Sequence, residues 1–131
     1  MSNAECRKGE PRDIQERAFA FACRIIALHR QLVRSDATAR TLAGQLLRAG
    51  TSIGANLEEA CAGQSKPDFI SKCAIALKEA RETHYWLQLL SASGMAPAEQ
   101  LDPLLAEANE LISIVTAILR KARSNQQRGP E

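Results

Sequence analysis

Residues Leu42 to Leu90 constrain this chain more than any other stretch. They read as two long helical patterns joined by a short turn from Gly63 to Pro67. In the first half, Leu42, Leu46, Ala49, Ile53, Leu57 and Ala60 recur at steps of three and four, so they share one face of a helix. In the second half, Phe69, Cys73, Ala76, Ala80, Leu87 and Leu90 do the same. Gly50 and Gly54 each cost about 1 kcal/mol relative to alanine inside a helix. Close approach of a neighbouring helix would account for both, and on this reading Gly54→Leu disrupts packing.

A polar line, Ser52, Asn56 and Glu59, runs beside the apolar face of the first half, and Glu79 and Glu82 lie beside that of the second. Packed as an antiparallel hairpin, the two halves would bring these five residues together in a partly buried network. Buried polar groups are tolerated when they are hydrogen-bonded, so the network reads as a device that fixes helix register. Lys72 or Lys78 is the expected counter-charge.

The remaining chain follows the same period. Asp13 with Glu16 resembles a capping box, and Ile14, Ala18, Phe21, Ile25, Leu28 and Leu32 then keep a helical spacing. A second apolar line on that helix, Phe19, Cys23, Ile26 and Val33, lies on another side and suggests subunit contacts. Ser35 and Asp36 cap a second helix running to about Gln64. Ser65 or Lys66 opens a third that ends at Ser93 before Gly94. Ala96-Pro97 opens a fourth, whose apolar stripe is again wider than one bundle face requires, since Leu104, Leu111 and Ile118 supplement Leu101, Leu105, Ala108, Ile112, Val115 and Leu119. Connections this short make successive helices antiparallel neighbours. The expected fold is all-α: an up-down-up-down antiparallel four-helix bundle over residues 13–123, flanked by disordered segments at 1–12 and 124–131.

Composition removes several classes. Aromatic residues are only 4% of the chain, which favours helices over a sheet. No run of about 18 apolar residues offers a membrane span, and no signal-peptide pattern appears, so the chain reads as cytoplasmic with no membrane partner. Four cysteines show no metal-ligand spacing and read as reduced thiols, a Cys61–Cys73 bridge being the alternative. The net charge of +2 is unevenly spread: residues 1–48 hold nine Lys/Arg against five Asp/Glu, 49–119 hold four against nine, and 120–131 hold four against one. If the first and last helices are neighbours, their cations could merge into one positive surface.

The central stretch resembles a known family. Arg48-Ala49-Gly50-Thr51-Ser52-Ile53-Gly54-Ala55-Asn56-Leu57-Glu58-Glu59-Ala60, then Ser65, Asp68-Phe69-Ile70, Ile75 through Thr83 and Tyr85-Trp86-Leu87 look like the bacterial four-helix-bundle proteins encoded in intervening sequences of 23S ribosomal RNA genes. The accessory protein of diversity-generating retroelements is similar. The resemblance implies a small non-enzymatic helical protein forming a homopentameric ring, with a positive surface toward RNA or DNA in the retroelement branch.

Two functions follow as expectations. One is a nucleic-acid adaptor whose phosphate contacts are Arg17, Arg24, Arg30, Arg34, Arg40, Arg120, Lys121 and Arg123. The other is a protein-interaction scaffold, with Phe19, Cys23, Ile26 and Val33 at the interface between copies. Enzyme chemistry is not expected, nor is a cofactor or a metal. A di-iron bundle needs Glu-x-x-His on two helices, and neither His29 nor His84 has Glu three residues earlier.

Overall fold

A computed structural model describes residues 10–63 and 65–127. Four helices form: α1 (Glu10–Leu32), α2 (Ala37–Ala62), α3 (Lys66–Ala92) and α4 (Ala98–Gln127), and there is no strand among the described residues. Their ends follow local chemistry. The Asp36 carboxylate accepts a hydrogen bond from the Ala39 N–H at 2.8 Å and so caps α2. The Ser65 hydroxyl accepts from the Asp68 N–H at 3.2 Å and caps α3, with Pro67 in its first turn. α3 stops where Gly94 takes φ 66°, and the Met95 N–H reaches back to the Leu90 carbonyl at 3.0 Å, a Schellman closure that needs a residue free to turn left-handed.

Two boundaries differ from the sequence reading. α1 begins at Glu10, so Asp13 lies inside the helix and is not its cap; Pro11 near the start supplies a preset backbone angle for the first turn. α4 continues through Ser124 to Gln127, because those residues are polar but none of them breaks a helix already propagating. Of the two segments read as disordered, residues 1–9 and 128–131 lie outside the described residues.

Each helix packs against two others in a closed cycle, α1 on α2, α2 on α3, α3 on α4 and α4 on α1, and the backbones of the diagonal pairs stay apart, so these meet only through core side chains. The core is a single cluster in which Phe21, Ile25 and Leu28 of α1 meet Leu46 and Ile53 of α2, Leu87 of α3, and Leu111 of α4, all fully buried. The wide stripe on α4 is absorbed by that core: Leu104, Leu111 and Ile118 are buried, while Leu105 and Ile112 pack at its edge. That stripe therefore leaves no spare apolar face.

The glycine pair does not act as a pair. A Cβ at Gly50 would sit 2.9 Å from Ile25 Cγ2, so α1 and α2 approach there more closely than a side chain allows unless Ile25 shifts. At Gly54 the nearest atom would be the Ala18 Cβ at 3.5 Å, an ordinary van der Waals distance. The close-approach residue is Gly50, and Gly54 has room for a methyl group.

Candidate interaction surface

The α2–α3 hairpin does hold a polar cluster, but its members are not the five expected. Arg48 lies on the same α2 line as Ser52 and bridges Glu79 and Glu82 of α3. Its guanidinium donates to Glu79 at 3.1 Å and also pairs with Glu82. The Trp86 indole N–H donates to Glu82 at 3.1 Å. Glu79 is nearly buried, with its side chain 10% exposed, so Arg48 supplies the charge it requires. Ser52 and Asn56 turn into their own helix instead: the Ser52 hydroxyl donates to the Arg48 carbonyl at 2.6 Å, and Asn56 donates to the Ser52 carbonyl at 2.8 Å. Glu59 pairs with Lys72 at 3.3 Å, away from the cluster. Of the two counter-charges expected, Lys72 finds that partner and Lys78 makes no ion pair among the described residues. The signal for Arg48 was its place four residues before Ser52, which puts it on the polar line.

The eight cations assigned to phosphate contact do not form one surface. Arg17 makes a bidentate pair with Glu107 of α4, at 3.0 and 2.7 Å, so its charge is already matched. The Glu107 hydrogen bond holds the Arg17 pKa above its ordinary value. Arg24, Arg30, Arg34, Arg40, Arg120, Lys121 and Arg123 are all exposed. Arg30, Arg34 and Arg40, however, stand at the α1–α2 turn, whereas Arg120, Lys121 and Arg123 stand near the opposite end. The antiparallel course of α1 and α4 causes the split. Gln31 bonds Gln100 at one end of the pair, and the twenty residues from there to Arg120 span roughly 30 Å. The half of α4 beside the α1 cations carries Glu99, Asp102 and Glu110, all exposed.

The line on α1 assigned to subunit contact is largely exposed. Phe19 is 70% and Ile26 39% accessible, and Cys23 is exposed between them. Val33 departs from the line, since it packs against the core edge where α1 meets the turn. Beside Phe19 the surface is hollow: Gln15, Glu16, Phe19 and Glu58 line an open depression of about 360 Å³. Sequence reasoning missed Tyr85, which is 53% exposed on α3 and sits edge-on to Trp86 at 5.2 Å. Lys78 and Arg81 are exposed on the same side of that helix.

No group of three or more His, Cys, Asp and Glu among the described residues is placed to hold a metal ion. Among those residues, no helix is long and apolar enough to cross a membrane. The thiols depart from expectation. Cys61 is disulfide-bonded, and its partner is neither Cys23 nor Cys73, both of which are free. Neither a fully reduced set nor a Cys61–Cys73 bridge therefore describes the chain.

Burial pushes the Cys73 thiol up to about 12 from its ordinary 9.0. Between those values the unfolded state gives up a proton that the folded state keeps. The stability contributed is full below about pH 9 and falls as pH rises toward 12. Iodoacetamide at neutral pH is expected to modify Cys23, exposed on the single chain, once copies are diluted apart, and to reach Cys73 only after denaturation. Equal labelling rates for the two would contradict the buried placement.

Residues 10–117 match the profile of the family described as 23S rRNA-intervening sequence protein. The chain is also similar to a crystal structure of a protein of unknown function from the S23 ribosomal protein family of Bacteroides thetaiotaomicron. The two share 37% identity and a TM-score of 0.78, over 85% of this chain and 98% of that one. No curated protein matches it.

Proposed function

We propose that this chain, which belongs to the 23S rRNA-intervening sequence protein family, is a non-enzymatic assembly module that self-associates through the outer face of α1. One observation carries the reading: Phe19, Cys23 and Ile26 place a continuous apolar line in solvent on a helix whose other apolar face is already buried. Burying apolar surface stabilises association by roughly 25 cal/mol per Å², and a lone exposed phenylalanine ring offers a large share of that. The ring of five copies implied by family resemblance is one assembly such a face would support.

Phe19→Glu combined with Ile26→Glu is expected to dissociate the assembly while leaving helix content intact, because neither residue belongs to the buried core. Native mass spectrometry read beside circular dichroism checks both parts. An unchanged native mass in a folded double variant would mean the line is ordinary surface.

A second reading, nucleic-acid binding, is favoured at a different place from the one the sequence suggested. With Glu79 and Glu82 engaged by Arg48, the outer face of α3 offers Tyr85 as a stacking ring with Lys78 and Arg81 as phosphate contacts. Two phosphate contacts on a single strand give a log–log salt slope of about −1.4. Anisotropy of a labelled single-stranded RNA across a salt series is expected to show that slope and to weaken in Tyr85→Ala. Absence of binding at low salt would remove this reading and leave the assembly module standing.

A further inference from the structure

We infer that the disulfide at Cys61 is a redox-operated clasp whose other half is Cys6, and that it fastens the start of α1 to the end of α2. The four cysteines of the chain are Cys6, Cys23, Cys61 and Cys73. Cys61 is disulfide-bonded whereas Cys23 and Cys73 are free, which leaves Cys6 as the partner within the chain. Cys6 itself lies outside the described residues.

The tether is long enough for this pairing. Cys61 stands in the last turn of α2 and lines a small cavity with Ile14 of α1, Phe69 and Cys73 of α3, and Ile118 of α4. Cys6 precedes Glu10, the first residue of α1, by four positions, and four residues span up to about 14 Å. Ile14 lies only about 6 Å along the helix axis from Glu10, so the chain can return to Cys61 without unwinding α1. Cys23, by contrast, lies nine residues beyond Ile14, roughly 13 Å further along α1. A disulfide requires a Cα separation under about 7 Å.

Cys73 is the thiol placed to scramble the pair, since it lines the same cavity as Cys61. Burial keeps it protonated, so at neutral pH it supplies almost no thiolate to attack the neighbouring sulfur. The bond is therefore opened from outside. Cys61 is half-buried at a helix end, within reach of a small dithiol. One thiolate of the dithiol bonds to one sulfur of the pair and displaces the other; its second thiol then closes the dithiol into a cyclic disulfide. Two electrons and two protons pass to the pair, and Cys6 and Cys61 leave as thiols. Ile14, Ala18 and Phe21 stay buried by packing alone, so opening loosens one end of the bundle and not the fold. Gln15 lines both this cavity and the depression beside Phe19, so the loosened end is the one that carries the depression.

The test equilibrates the full chain with reduced and oxidised glutathione over a range of ratios, unfolds it in iodoacetamide and maps the cysteine peptides by mass spectrometry. On the oxidising side Cys6 and Cys61 should appear as one linked pair and Cys73 should carry the alkyl group. Dithiothreitol should lower the melting midpoint of the oxidised chain by roughly 10 °C and speed amide exchange at residues 15–18 at least about tenfold. Cys6→Ser should melt at the lower midpoint with or without the reductant. Cys6 and Cys61 unlinked at every ratio, or Cys61 joined to any other cysteine, overturns the inference. So does a linked pair whose reduction leaves both the midpoint and those amides unchanged, since the bond would then fasten nothing. Peptide mapping reads the single chain, so this outcome stands whether or not copies associate.

Discussion

Phe21→Ala is expected to lower stability by about 4 kcal/mol, in the range for removing a fully buried aromatic side chain. Phe21 is 1% exposed and among the largest fully buried side chains of the chain. Its removal loses both the transfer energy of the ring and the contacts of the cavity walls, which helices anchored on all sides cannot close. Urea unfolding should show a shifted midpoint with the slope kept. The contrast two residues away sharpens the test: Phe19→Ala should leave the monomer within about 0.5 kcal/mol of the parent, as surface substitutions do. A loss below about 1 kcal/mol for Phe21→Ala would mean that the α1 face assigned to the core is wrong.

Gly50→Leu should also destabilise the fold, by a net of about 2 kcal/mol and for the opposite reason. A Cβ there already meets Ile25 Cγ2 at 2.9 Å and Cγ1 at 3.0 Å, and leucine adds three more carbons behind it. Ile25 is β-branched and fully buried, so it has little freedom to withdraw. Overpacking of this kind costs about 3 kcal/mol at the upper end of its usual range, offset by roughly 1 kcal/mol of helix propensity. Gly54→Ala is the matched control. With its nearest contact at 3.5 Å, the methyl group fits, and the helix should gain up to about 1 kcal/mol. Thermal melts followed by circular dichroism should move down for the first and up for the second. Equal behaviour at the two positions would contradict the α1–α2 spacing described here.

The fold was legible because apolar periodicity is a local, redundant signal. Four stripes at steps of three and four, with capping residues between them, leave few arrangements other than an antiparallel bundle. What the period did not carry was direction within a helix. Ser52 and Asn56 sit on the predicted line, yet hydroxyl and amide groups on a helix can satisfy themselves on the carbonyl four residues back, and these two do so. Arg48 could reach across to α3 because its side chain is long.

The charges were misread for a related reason. Counts per segment say that α1 and α4 both carry cations, but antiparallel packing sets the basic half of one beside the acidic half of the other, and Arg17 is matched by Glu107. The α1 line was legible from period alone, except at Val33, where the end of the helix folds against the core. Tyr85 was passed over because Glu79 and Glu82 stand close before it on α3, and the sequence period does not show that Arg48 binds both.

The central claim is self-association through α1, and native mass spectrometry of the parent chain beside the Phe19→Glu, Ile26→Glu variant tests it most directly. The parent should appear at a whole multiple of 14.3 kDa, and the variant at 14.3 kDa with its helix content unchanged. A parent chain that remains at 14.3 kDa across a dilution series would contradict the account.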